Sequence, residues 1–255
     1  MSGKQDRERR RQERLDAETK VDTQDRRKKL LQIGAGAAFL AVVVVVVGIV
    51  IASSGDDGGD AGNVKDAALV EEELTGLDQE GLVLGDPNAP VEVVEFGDLQ
   101  CPVCKAASEE VLPPVFEGAV AKGDAKVSFR NFVIISEESE PAGAAAVAAG
   151  EQGRGWNYLE LFYRNQGREA SGYVTDEFLT AIAEGAGVPD IAKWNQDRNS
   201  AKVKAEVKKS HEEAVGMGLT GTPTFMIKGP NTDGLELIGS VASADELESA
   251  IEAAG

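Results

Sequence analysis

Cys101 and Cys104 are the only cysteines among 255 residues. Two thiols at positions i and i+3 reach each other only if a turn or the start of a helix folds between them. So placed, the pair can cycle between dithiol and disulfide, with no third thiol in the chain to compete. The run Val91-Glu92-Val93-Val94-Glu95-Phe96 ahead of them predicts a strand, and residues 103–111 behind them predict a helix. Pro102 suits the first helical position, where its missing N–H costs nothing. Cys101 then sits where unpaired helix N–H groups and the positive end of the macrodipole favour a thiolate.

Two blander uses of the cysteines compete with this. A structural zinc site requires four ligands, and the sole histidine, His211, lies more than a hundred residues away on a Lys- and Glu-rich helix, where it reads as solvated surface. No metal ligand set is expected. An inert local disulfide would gain little closure entropy from so short a loop and would strain the helix start.

Residues 30–52 carry no charge and include the run Val42 to Val47. At 1.5 Å per residue this stretch is roughly 34 Å long as a helix, enough for a hydrocarbon core of about 30 Å, so it is expected to be a transmembrane helix. Residues 1–29 hold 11 Lys and Arg against 7 Asp and Glu, and everything after them holds 15 against 37. The positive-inside bias puts that basic segment in the cytoplasm and the body outside, anchored to the cell membrane by a single pass. A cleaved signal peptide is the alternative, with Ala52-Ser53-Ser54 as small residues at the cut, but the apolar stretch exceeds a usual h-region. An oxidising exterior suits a working disulfide. The acidic excess argues against nucleic acid as a partner.

Residues 53–80 are expected to be a flexible acidic linker, with a short acidic helix possible over 64–78, and the folded domain is expected to occupy 81–255. Strands are predicted near Gly81 to Gly85, over 91–96, over 127–135, and later over 223–227 and 235–238, with helices filling about 138–217. Pro113-Pro114 should bend or end the first helix. Ser243-Ala244-Asp245-Glu246 opens the last helix with a capping-box pattern. The Trp156 and Phe162 aromatic stripe reads as packing between helices and sheet.

The segment Gly85-Asp86-Pro87-Asn88-Ala89-Pro90 leading into the strand and on to Cys101-Pro102-Val103-Cys104 resembles the active-site segment of the DsbA-like thiol-disulfide oxidoreductases, in their membrane-anchored Gram-positive branch. Gly218-Leu219-Thr220-Gly221-Thr222-Pro223-Thr224-Phe225 is similar to that family's cis-proline loop. With Gln152-Gly153-Arg154-Gly155-Trp156, the resemblance covers most of residues 82–254. It implies an α/β thioredoxin fold with an inserted helical domain. It implies Cys101 as the exposed nucleophile, Cys104 as its buried partner, and Pro223 as a cis-proline opposite them. Thr222 would pair with an extended substrate backbone, Pro102 and Val103 would meet the substrate, and Glu95, six residues before Cys101, would accept or relay the Cys104 proton. Asp98 ranks lower as that acid. Val103 stands where the best-known strong oxidant of the family has a histidine, so the thiolate loses that support.

The expected activity is disulfide donation to reduced or unfolded exported proteins by a monomer without cofactor, reoxidised by a membrane quinone-linked oxidoreductase. An isomerase or reductase of the same fold and a non-catalytic binding protein remain the alternatives.

Overall fold

In the computed structural model, residues 64–241 and 243–255 are described. The predicted cytoplasmic segment 1–29, the predicted span 30–52 and the first part of the predicted linker lie outside the described residues. Among the described residues no helix is long and apolar enough to cross a membrane.

A six-stranded sheet forms the frame, in the order β1(Gln79–Glu80), β2(Val83–Leu84), β4(Ala125–Asn131), β3(Val91–Gly97), β5(Thr224–Lys228), β6(Glu236–Gly239). β3 runs parallel to β4 and antiparallel to β5, so its backbone is paired on both sides. Both of its faces are covered as well. Val91 and Val93 belong to the main core, whereas Val94 and Phe96 join Phe132, Ala214 and Met226 in a second cluster behind the sheet. That is why this strand reads as a nearly continuous apolar run.

The parallel crossover from β3 to β4 is a helical run we call α2. It is α-helical over Pro102–Ala106 and Leu112–Val115, with π turns over Ala107–Val111 and Phe116–Val120. Pro113-Pro114 therefore neither ends the helix nor leaves it regular. The N–H of Leu112 bonds the Ala107 carbonyl, a π-type spacing, immediately before two residues with no N–H to donate.

The domain begins earlier than Gly81. α1(Ala67–Leu74) precedes it, with Val70 and Leu74 buried in the main core. Glu73 pairs with Arg164 at 2.6 Å, Glu71 pairs with Arg154, and β1 adds an edge strand to the sheet. Glu71, Glu72 and Glu73 are the polar side of an amphipathic helix whose apolar side is Val70 and Leu74, so the short acidic helix expected over 64–78 forms as α1.

The inserted helices are α3(Ser139–Gly150), α4(Gly155–Arg164), α5(Asp176–Gly185), α6(Ile191–Arg198) and α7(Ala201–Gly216). The Ala-rich stretch 142–150 of α3 is buried all round, and the Trp194 indole N–H of α6 donates to its Ala145 carbonyl at 2.9 Å. Between α3 and α4 the chain passes so close to the β1–β2 turn that a Cβ on Gly155 would lie 2.2 Å from the Gly81 carbonyl oxygen. Trp156 packs edge-on against Phe116, so this part of the aromatic stripe meets the crossover helix α2. α8(Ala244–Ala254) closes the fold, its Ser243 hydroxyl accepting from the Glu246 N–H at 3.3 Å.

β4 stops at Asn131 rather than running to Ile135. The N–H groups of Ile134 and Ile135 donate instead to Asp98 Oδ2, at 2.8 and 2.9 Å, which draws this segment out of the sheet. His211 is half-buried rather than solvated, its ring 5.6 Å from that of Phe132.

Candidate active site

β3 delivers the chain to the site, and the turn after it is tied down from three directions. Asp98 Oδ1 accepts from the Gln100 N–H at 2.9 Å, and the Cys101 N–H donates to the Asp98 carbonyl at 2.9 Å. Gln166, just beyond α4, donates to the carbonyls of Leu99 (2.7 Å) and Cys101 (3.1 Å). Gln100 reaches Ser136 at 2.6 Å and accepts from the Ala170 N–H at 2.8 Å. Asp98 thus serves as a buried backbone anchor for two loops. Neither Gln100 nor Gln166 is conspicuous in the sequence, because their partners lie 36 to 70 residues away.

Cys101 is the N-cap of α2 and Pro102 its first residue, as the spacing predicts. Both thiols are free in this structure. The antiparallel register of β3 and β5, with Phe96 opposite Thr224, brings the Thr222–Pro223 loop against the helix start. That peptide bond is cis, and Cys101 Sγ lies 3.4 Å from the Thr222 carbonyl oxygen. Cys101 is only 5% exposed, so the nucleophile is not the open thiol expected from the resemblance; the cis-proline loop covers it. Pro102, Val103 and Thr222 are half-buried around it, Pro223 is buried, and Cys104 is fully enclosed.

The two sulfurs are driven apart in acidity. Cys101 is lowered to about 6. The largest cause is a hydrogen bond from the Cys104 thiol; burial opposes it, and the Thr222 side chain and the N–H groups of Cys104 and Val103 add support. The helix start contributes as expected, but the partner thiol contributes more. Cys104 is raised well above the usual thiol range, chiefly by burial and then by giving its hydrogen to Cys101. One sulfur is set up as thiolate and the other as thiol.

Glu95 is 1% exposed and shares the core-facing side of β3 with Val93 and Gly97, a consequence of strand alternation. Its Oε1 has no protein partner. Gly97 leaves the space it occupies: a Cβ there would lie 3.1 Å from that oxygen and 2.5 Å from the Phe129 ring. Burial first, then the charges of Glu160 and Cys101, hold the Glu95 carboxyl well above the carboxylate range. Glu160 was not singled out from the sequence. It is 1% exposed in α4, and the available signal is an acid inside the run 158–163, whose other members are apolar or aromatic.

Among the described residues, no group of three or more His, Cys, Asp or Glu side chains is arranged to hold a metal ion. A helix-capping thiolate, a buried thiol behind it, and a cis-proline loop across from both define a thioredoxin-fold thiol-disulfide oxidoreductase.

The thioredoxin family model matches residues 77–253, and the chain belongs to that family, in its DsbA-like branch. It is 32% identical over 149 residues to the probable disulfide bond formation protein D of Bacillus cereus, covering 57% of this chain and 69% of that one. Identity to the disulfide bond formation protein D of Bacillus subtilis is 29% over 174 residues, covering 67% and 75%. The crystal structure of oxidised BdbD from Bacillus subtilis superposes with a TM-score of 0.60 at 25% identity, covering 69% of this chain and 96% of that one.

Proposed function

We propose that this chain is a membrane-tethered, extracytoplasmic oxidase that donates the Cys101–Cys104 disulfide to exported proteins. The observation that carries the reading is the split in acidity between the two sulfurs, with Cys101 near 6 and Cys104 far above it. A stabilised Cys101 thiolate is a good leaving group, which makes the disulfide oxidising. The uncharged stretch 30–52 and the basic segment ahead of it support tethering with the domain outside. The names of its relatives, as disulfide bond formation proteins, support the direction of transfer.

In this reading a substrate thiolate attacks Cys101 Sγ. The Cys101–Cys104 bond breaks, and its electron pair goes to Cys104, which takes a proton from Glu95. Meanwhile the Thr222 backbone beside Pro223 holds the substrate as an added strand, with Pro102 and Val103 against it. A second substrate thiolate then attacks the mixed disulfide at the substrate sulfur, and Cys101 leaves as thiolate. The substrate has lost two electrons, and the enzyme holds them as one thiolate and one thiol. The chain has no third cysteine, so reoxidation falls to another protein, for which a membrane quinone-linked oxidoreductase is the proposed partner.

The test is oxidation of a reduced, unfolded test protein by the full-length chain at stoichiometric amounts, with Cys101→Ser as the blank. Failure to transfer disulfides rejects the proposal. Alkylation trapping in cells reads the direction: a mostly oxidised pair is expected, and a mostly reduced pair identifies an isomerase or reductase.

A further inference from the structure

Behind the redox pair, Glu160 is a second fully buried acid that the thiol exchange itself does not use. Its Oε2 accepts from the Ser108 hydroxyl at 2.7 Å, and Ser108 stands four residues beyond Cys104 on α2. Its Oε1 has no protein partner, like Oε1 of Glu95. Each acid therefore keeps one oxygen on which a proton can sit without breaking a bond. The cation nearest in sequence, Arg164, is committed elsewhere: it holds both oxygens of Glu73, at 2.8 and 2.6 Å, toward the rim of the domain. Arg164 therefore offsets only part of the cost of burying this acid, and one hydroxyl bond does not offset the rest.

We infer that Glu160 is a positioning residue for the proton step, the outer half of a buried carboxyl pair with Glu95 that together hold and pass the proton exchanged by Cys104. The inference rests on the proposed dithiol chemistry at Cys101 and Cys104. When the disulfide opens, Glu95 gives its proton to the Cys104 sulfur and is left as a carboxylate, to which Glu160 passes its own proton, so that the pair holds one proton fewer until the disulfide re-forms. When the disulfide re-forms at the expense of an external disulfide, Cys104 returns one proton to the pair and the external sulfurs take the two electrons. The groups that bear on the pair are Arg164 of α4, Glu73 of α1 and Glu109 of α2 around Glu160, with Cys101, Cys104 and Tyr163 around Glu95. Glu160 is itself raised to about 8, by burial first, with Ser108 and Arg164 opposing. The charge of Glu160 bears on Glu95, and acids coupled in this way titrate together, in two steps.

The experiment is the pH profile of reoxidation of the reduced full-length chain, purified in detergent, by oxidised glutathione. The expected wild-type profile has a lower limb from the Cys101 thiolate and an upper inflection from the pair. Glu160→Gln removes the neighbouring charge and is expected to move the upper inflection down by about one unit, a tenfold change in the proton equilibrium. Ser108→Ala removes a bond that favours the carboxylate and is expected to move the same inflection up. The Glu95→Gln/Glu160→Gln double variant is expected to match Glu95→Gln alone. An upper inflection that stays in place in both Glu160→Gln and Ser108→Ala overturns the pair, as does one that survives Glu95→Gln. If Glu160→Gln does not fold, the upward shift in Ser108→Ala decides. Because glutathione is the oxidant, the profile is independent of whether the chain donates disulfides to exported proteins, and the two proposals fail separately.

Discussion

Cys101 Sγ sits 3.4 Å from the carbonyl oxygen of Thr222, the residue whose peptide bond to Pro223 is cis. The contact joins the two ends of the domain sequence, 121 residues apart, at one sulfur. In the proposed function, a substrate strand laid along Thr222 would bring its cysteine to that same sulfur, so recognition and attack would share one position. The register of β3 and β5 fixes this distance, which is why the cis-proline loop acts on the cysteine rather than merely lying near it.

Replacing Cys104 by Ala tests what holds the thiolate. The Cys104 hydrogen bond is the largest cause of the lowered Cys101 value, ahead of the helix N–H groups. Thiolate absorbance of the wild-type reduced enzyme should titrate near 6, leaving roughly nine-tenths ionised at pH 7. Cys104→Ala should move that midpoint upward, toward the ordinary thiol range near ~8.5. An unmoved midpoint would assign the effect to the helix start alone.

The same shift makes the reduced state pH-sensitive. Cys101 is depressed in the folded protein, so its contribution is present above the unfolded value near ~8.5 and is lost as pH falls through about 6. Cys104 is raised and stays a thiol in the folded protein across that window, and its own ionisation in the unfolded chain is common to both variants. Denaturant unfolding of the reduced chain, compared with Cys101→Ala, should show a difference that grows from pH 6 to pH 8.5 by at most about 3 kcal/mol. A flat difference contradicts the assignment.

Glu95→Gln should trade stability for rate. The carboxyl is raised well above its ordinary value, chiefly by burial, so folding is penalised progressively as pH climbs above the unfolded value near ~4.3. The amide escapes that penalty. Thermal unfolding at pH 7 should show the variant more stable by about 2 kcal/mol, with the gain vanishing near pH 4. Disulfide exchange should meanwhile slow by about 10²-fold or more, the usual contribution of a placed acid or base. A variant that is faster, or less stable at pH 7, would count against a proton role.

What the sequence displays of this site follows from local rules. A strand, a proline at the first helical position and two cysteines put Cys101 at the N-cap without any knowledge of the fold. The placement of Thr222 and Pro223 came through resemblance, since no local rule pairs residues that far apart. The burial of Glu95 follows from its lying on the Val93 side of β3, the face that the main core covers, and the apolar Val94 and Phe96 on the other face hide that alternation in the sequence. No local pattern marks Gln166 and Gln100, because their partners lie 36 to 70 residues away, and Glu160 shows only as an acid in an aromatic run, its partner Ser108 lying on another helix. The early start of the domain was hidden by charge: Glu71, Glu72 and Glu73 outweigh Val70 and Leu74 in composition, although the spacing of the two apolar residues decides which way the helix faces.

That last point yields a direct comparison between a chain beginning at residue 64 and one beginning at residue 81. The shorter chain loses α1 and with it the buried Val70 and Leu74, the Glu73–Arg164 pair and edge strand β1. It also leaves Arg164, of which only 10% is exposed, without its carboxylate. Burial of the two side chains, reduced by the entropy of ordering one short helix, is worth about 2–4 kcal/mol. Urea unfolding should therefore show the chain from 81 less stable by that amount. Equal midpoints for the two chains would return residues 64–80 to the role of a spacer.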